Sequence, residues 1–209
     1  MRYALVNGSK AEPAPKLLGY CPACDSQMVS KCGRHVLWHW AHKSREHCDR
    51  WWESETEWHR AWKNLFPVEW QEVVHTDDTS NEKHIADIKT PRGLVLEFQH
   101  SPISPEEMKS REDFYKNMAW IVDGCRNELD KNYFSLSLSK PSVEQPSEFP
   151  LRWWGSSKLF ANWGAAGRAV YIDFGDDLLW KLLRFDKQTK AGAVSPVDRQ
   201  SIVSSWVDA

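Results

Sequence analysis

The sequence predicts an α/β chain, with a mixed central sheet flanked by helices and a small metal-stapled module ahead of it. Three observations predict this. Runs of period two alternate with runs of helical period through the middle of the chain. Four of the five Cys and four of the eight His crowd between Tyr20 and Asp49. The 209 residues are 41% hydrophobic and 27% charged, a globular balance in a chain long enough for one domain and a small module.

The elements follow in order. Residues 1 to about 15 end in AEPAPK and read as a linker or a short lead-in strand. Ser54 with Glu57 three residues on is a capping-box pattern, and Trp58, Ala61, Trp62 and Leu65 recur at i, i+3, i+4 and i+7, so a helix runs to Pro67. Val68–Thr76 alternates as a strand, and DDTSN is a turn. EKHIADIK and LVLEFQH are two strands joined by TPRG. Ser104-Pro105-Glu106-Glu107 opens a second helix, reaching about Met118, and AWIVDG is a further strand. Residues 129–150 read as a loop with one short strand, AVYIDFGDDLLWKLLRF as strand, turn and amphipathic helix, and the tail from Thr189 carries weak signals. The expected organisation is a zinc-ribbon-like module over 1–50, a core over 51–128 and a Trp-rich α/β extension packing on the core over 129–209.

A net charge of −2 excludes a global pull toward nucleic acid, so any such contact needs a local basic patch. The 13 Trp can build cores or stack on bases. MRYALVNGSK lacks the apolar run of a signal peptide and no segment approaches a membrane span, which predicts a cytoplasmic protein with reduced thiols and no membrane partner.

The segment GLVLEFQHS places Glu97 and Gln99 inside an apolar strand, and burying an unpaired carboxylate is costly. A type I turn at Thr90-Pro91-Arg92, with Gly93 left-handed, makes a three-residue hairpin loop that sets Thr90 against Leu94 and Asp87 against Glu97. Ala86, Ile88, Thr90, Leu94, Leu96 and Phe98 then share an almost wholly apolar face, and Ile85, Asp87, Lys89, Val95, Glu97 and Gln99 share the other. Opposed residues have Cβ atoms about 4.5–5.5 Å apart. Two carboxylates that close repel unless a cation sits between them, and Mg²⁺, with retained waters, would suit the pair. The alternative is an amphipathic hairpin with a solvated face. On the first helix Glu55, His59 and Lys63 form one stripe beside the apolar one, where Glu55 could add a carboxylate and Lys63 meet a phosphate; the alternative is a surface Glu-to-Lys ladder.

Cys21 and Cys24 have zinc-knuckle spacing, and His39, His42 and Cys48 follow at a distance that suits a small ribbon. The favoured ligands are Cys21, Cys24, His42 and Cys48, with His39 as alternate and Cys32 and His35 ranked behind. Four protein ligands make the zinc structural. Lys31, Arg34, Lys43, Arg45 and Arg50 surround the cluster, a basic ribbon suited to a DNA backbone.

Taken together, ESETEWHRAWK, HIADI and EFQHSPIS, with the CxxC, the H-aromatic-AH element and the following Cys, resemble the CoiA-like competence protein family of the PD-(D/E)xK nuclease superfamily. The resemblance spans roughly Tyr20 to Gly124, and implies a restriction-endonuclease-like αβββαβ core and a metal-dependent nuclease acting on DNA. It implies that Asp87 and Glu97 hold Mg²⁺ or Mn²⁺, that Glu55 assists and that Gln99 completes the catalytic set. His59, Lys63, Ser101, Arg111 and Tyr115 are the expected substrate-binding residues. Gln99 stands where the superfamily more often has Lys; it can orient water or a phosphate oxygen but carries no charge. The rival expectation is therefore a DNA-binding accessory protein whose nuclease-like core does not cut.

Overall fold

Short alternating segments around the cysteines build the first sheet. The computed structural model describes residues 1–44, 48–77 and 79–207, and the chain divides into two units, Met1–Lys89 and Thr90–Ala209. The first unit contains β1 (Ala4–Val6), β2 (Ser9–Ala11), β3 (Leu18–Tyr20), β4 (Gln27–Lys31) and β5 (His39–His42), in one sheet of order β2-β1-β3-β4-β5. Of the linker and the lead-in strand, the start of the chain takes the strand, doubled into a hairpin turned by Asn7 and Gly8, both at positive φ. Met1, Ala4, Cys21, Met28 and Trp40 form the core of this sheet. Gly19 lets two strands close up: a Cβ there would lie 3.0 Å from the Ala4 Cβ and 3.2 Å from the Trp40 ring.

Helix α1 (Glu57–Lys63) follows. Its N-cap is Thr56 and its capping-box partner is His59, not the expected Ser54 and Glu57. The hydroxyl two residues later wins because the His59 ring reaches back to the Thr56 backbone. A 3₁₀ turn over Val68–Trp70 takes the first residues expected in the next strand, so β6 spans Gln71–Thr76 and pairs antiparallel with β7 (Lys83–Lys89). Alternate β7 residues His84, Ala86 and Ile88 are buried, as the period-two pattern requires.

The second unit opens on the expected turn. Gly93 donates to the Thr90 carbonyl at 2.9 Å, Thr90 donates to the Leu94 carbonyl at 2.9 Å, and Gly93 has φ +83°. Then come β8 (Val95–Gln99), α2 (Pro105–Tyr115), β9 (Met118–Asp123), α3 (Asp130–Ser137), β10 (Phe149–Arg152), α4 (Leu159–Trp163), β11 (Ala169–Asp173), β12 (Leu178–Asp186), β13 (Ala191–Asp198) and α5 (Arg199–Val207). Its strands run in the order β10-β13-β12-β11-β9-β8, with β8, β9 and β11 parallel and the others antiparallel. Ser104 caps α2 by accepting from the Glu107 N–H at 3.1 Å. The helix stops three residues before the expected Met118, because Lys116 turns to φ +58°.

Most of the tryptophan is core. Trp120 packs on Trp163 with ring centroids 5.1 Å apart, and Phe134 stacks on Phe160 and Phe174. The buried Glu112 accepts from Trp120 Nε1 at 3.0 Å and from the Gly167 N–H at 2.9 Å, tying α2 to β9 and to the approach of β11. Two expectations fail in this unit. The loop expected over 129–150 contains α3, and the segment expected as an amphipathic helix is strand β12. A register shift between Leu182 and Arg184 breaks the alternation of β12, so its apolar spacing imitates a helix while pairing on both edges enforces a strand. Mixed α/β architecture holds throughout, and among the described residues no helix is long and apolar enough to cross a membrane.

Gly93→Ala should destabilise the chain by about 1 kcal/mol, since the site has room for a Cβ but not the backbone angle for one; a denaturant midpoint equal to wild type would count against the turn.

Candidate metal centre and carboxylate cluster

A tight knuckle after β3 brings the first two sulfurs together. Cys21 donates its N–H to the Ser26 carbonyl at 3.0 Å, Asp25 donates back to Cys21 at 2.9 Å, and Asp25 sits at φ +56°. In β5, His39 and His42 are three residues apart and so point to opposite faces. His42, paired with Met28 on β4, turns toward the knuckle, whereas His39 Nδ1 lies 2.9 Å from the Leu37 carbonyl oxygen. Cys48 completes the group. One ligand atom each from Cys21, Cys24, His42 and Cys48 lies within 4.8 Å of all the others.

The spacing fits a tetrahedral ion. Cys21 Sγ and Cys48 Sγ are 3.6 Å apart, and Cys24 Sγ and His42 Nε2 are 3.4 Å apart. Tetrahedral Zn–S and Zn–N bonds require about 3.8 Å and about 3.6 Å for these edges. Burial and the neighbouring Cys21 sulfur push the Cys48 thiol well above its ordinary range, a penalty that a divalent cation would relieve. A Cys₃His cluster of this kind could hold a structural zinc, with His39, Cys32 and His35 outside it. Lys31, Arg34, Lys43 and Arg50 are exposed around it, with Arg50 paired to Glu82 at 2.8 Å; Arg45 lies outside the described residues.

Next to Cys48, Asp49 is buried and fastens this segment to β7. Its carboxylate meets His84 Nδ1 at 2.7 Å and accepts from the Ile85 N–H at 2.8 Å and the Trp51 N–H at 2.9 Å, while Trp51 stacks on His84. Burial would raise the Asp49 carboxyl, but these donors outweigh it and hold it below the usual value.

The same strand carries Asp87 into a cluster that the sequence disclosed only in part. Lys63, at the end of α1, is 4% exposed. Its Nζ lies 2.9 Å from Asp87, 3.1 Å from Glu72 and 3.3 Å from Glu55. Burial would lower the Lys63 ammonium, but the three carboxylates push it well above its ordinary range. Glu55 precedes the N-cap and is therefore not on the helix stripe expected for it; it reaches Lys63 from the lead-in and also pairs with Arg60 at 2.9 Å. His59 is enclosed in the cap, with Nε2 2.8 Å from Glu53, a structural placement rather than the substrate-facing one expected.

Glu72 is the residue missed. The register that sets Gln71 against Ile88 and Val73 against Ala86 puts Glu72 opposite Asp87. Glu72 has φ +48°, a left-handed backbone costing about 1 kcal/mol or more, held by N–H donors from Arg2 at 2.8 Å and Tyr3 at 2.9 Å. Burial would raise its carboxyl, yet Lys63 and these donors bring it down to about 2. The signal was available: VEWQEVVHT, like GLVLEFQHS, sets an acid among strand residues. A cavity of about 610 Å³ opens beside the cluster, lined by Arg34, His35, His39, Trp52, Glu55 and Glu57.

Glu97 and Gln99 belong to the second unit. Both are buried on β8, whose five residues are all enclosed, so the solvated face of the alternative reading is absent there. Arg111, on α2, donates to Glu97 at 3.0 Å and also pairs with Glu107. Burial would lower the Arg111 guanidinium, but Glu97 and Glu107 raise it. Tyr115 is 3% exposed, and Gln99 donates to the Ser101 carbonyl at 3.0 Å. Just beyond, His100 Nδ1 lies 2.7 Å from Asp123, a pair that the sequence reading passed over.

Residues 19–50 match the family described as competence protein CoiA, N-terminal domain, which covers the knuckle, His42 and Cys48. The match supports a CoiA-like, cysteine-rich module. No curated protein and no solved structure matches the chain.

Metal analysis of the purified protein should find about one zinc per chain. Cys21→Ser and Cys48→Ser should lose it and melt earlier, while His39→Ala keeps it; zinc retained by Cys48→Ser would exclude this ligand set. Because Glu72 is depressed in the folded state, its contribution is present above its unfolded value of 4.5 and is lost as pH falls toward about 2. Urea midpoints measured between pH 6 and pH 3 should therefore fall, and Glu72→Gln should flatten that fall.

Proposed function

We propose that this protein is a divalent-metal-dependent nuclease that hydrolyses DNA phosphodiester bonds in a competence-related role: uptake, recombination or defence. The observation that carries the reading is the convergence of Glu55, Glu72 and Asp87 on Lys63, with Glu55 also in the wall of a cavity that Arg34, His35 and Trp52 line. Hard carboxylate oxygens are the donor set that Mg²⁺ or Mn²⁺ takes. Asp87 is the accessible member, its side chain 22% exposed against 6% for Glu55 and 5% for Glu72.

A bound Mg²⁺ would polarise the phosphoryl oxygen and activate water. The chain's own groups supply the rest. Lys63 stays protonated, so it serves as a fixed positive charge for a phosphate oxygen and not as a base. Arg34 and His35 can meet the backbone in the cavity, and the Trp52 face can stack on a base. Glu97 and Gln99 are assigned their roles by sequence pattern and are tested by substitutions of their own.

The second reading is a DNA-binding accessory protein that does not cut. It is favoured by Lys63 and its neighbours already pairing the carboxylates and by Gln99, which cannot act as a base.

Labelled single-stranded, duplex and branched DNA, incubated with Mg²⁺ or Mn²⁺, should be cleaved by wild type. Asp87→Ala and Glu97→Ala should each lower the rate about a hundredfold or more. Equal rates in all three proteins, or no cleavage under any condition, would overturn the nuclease reading. Tight binding indifferent to divalent metal and to Glu97→Ala would establish the second.

A further inference from the structure

The second unit has a cavity of its own, independent of the carboxylate cluster. Strands β8, β9 and β11 run parallel, with Gln99 level with Val122 and Asp123 level with Asp173. Their carboxyl ends therefore finish at one edge, the place where open α/β sheets take ligands. There a cavity of about 240 Å³ is lined by the ends of β8 and β9 and the residues after them, Gln99 and Ser101 included, and by α4 with the segment leading into it.

Its polarity is graded. Asp123 and Asp130 are 8% and 4% exposed, and both are engaged: Asp123 by His100 and by the Cys125 N–H at 2.8 Å, Asp130 by the Asn127 amide at 3.1 Å. Arg126 and Lys158 are exposed, and among the described residues neither has an ion-pair partner. The amide of Asn162, also in the wall, makes no side-chain hydrogen bond among the described residues. The cavity thus combines two uncommitted cations with carboxylate and amide acceptors. An apolar ligand would leave these groups unmet, and a bare cation would be repelled by Arg126 and Lys158. A ligand that carries a phosphate and also hydroxyl or amino donors satisfies both sets.

We propose that this cavity binds a nucleotide unit carrying a 5′-phosphate, with Arg126 and Lys158 on the phosphate and Asp130 and Asn162 on the sugar or base donors. The unit can come from two sources, the phosphorylated end of a DNA strand or a free nucleoside monophosphate. This goes beyond the nuclease reading and does not depend on cleavage.

The test uses the full-length, zinc-containing protein in buffer without added divalent metal, so that binding is read apart from hydrolysis. The probes are a 3′-labelled oligonucleotide with a 5′-phosphate, the same strand with a 5′-hydroxyl, dTMP and inorganic phosphate, followed by fluorescence anisotropy and competition. The phosphorylated strand should bind about tenfold tighter than the hydroxyl strand, the size of one or two charge-assisted hydrogen bonds. dTMP should compete better than inorganic phosphate. The double substitution Arg126→Gln, Lys158→Gln, at two exposed side chains, should erase the difference while leaving affinity for the hydroxyl strand and its cleavage unchanged. Equal strand affinities with saturable dTMP binding would assign the site to the free nucleotide. Equal strand affinities without dTMP binding, a preference that survives the double substitution, or competition by inorganic phosphate equal to that by dTMP would overturn the proposal. Loss of cleavage alone, as in Asp87→Ala, would leave it standing.

Discussion

The first unit depends on one buried ammonium. Lys63 meets Asp87, Glu72 and Glu55, which come from two strands and from the approach to α1. Without that charge three carboxylates would have to be enclosed against one another, which costs several kcal/mol in a low-dielectric interior. Lys63 alone does not balance them. Arg60 takes up Glu55, and the N–H groups of Arg2 and Tyr3 meet Glu72, so residues more than sixty positions apart are fixed by one electrostatic knot. The strained backbone at Glu72 is held in the same place. Strain and buried charge on a single side chain are what a functional site tends to retain, and what a purely structural core would shed.

The residue after Cys48 links the candidate metal centre to the strand that carries Asp87. Cys48 is followed by Asp49, Asp49 is clamped to His84 and Ile85, and Asp87 lies two residues further along β7. Ordering the cysteine-rich module therefore orders the residues that present the accessible carboxylate. The Cys₃His cluster and Asp87 are linked through backbone and one buried His–Asp pair.

Much of this was legible, for identifiable reasons. The Cys21, Cys24, His42 and Cys48 set could be read because knuckle spacing is short and metal geometry is strict. The Gly93 turn could be read because a left-handed residue in a three-residue loop has one common solution. Asp87 and Lys63 stood out as charges at regular spacing, but their partner Glu72 did not, since only cross-strand register reveals it. Glu55 was placed inside the helix because two candidate caps lie two residues apart, and the later cap was decided by a His side chain reaching backwards. In β12 a bulge disguised a strand as a helix, and α3 was hidden in a segment whose serines and prolines suggested only loop. Periodicity survives where pairing is regular; it fails where one irregular residue resets the phase.

Cys24 and Cys48 are solvent-exposed members of the sulfur cluster. An oxidant that joins two of these sulfurs would remove two of the four candidate ligands in one event. The capacity of this module to hold a metal is thus tied to the thiol–disulfide poise around the protein, with no change in temperature or ligand needed to remove it.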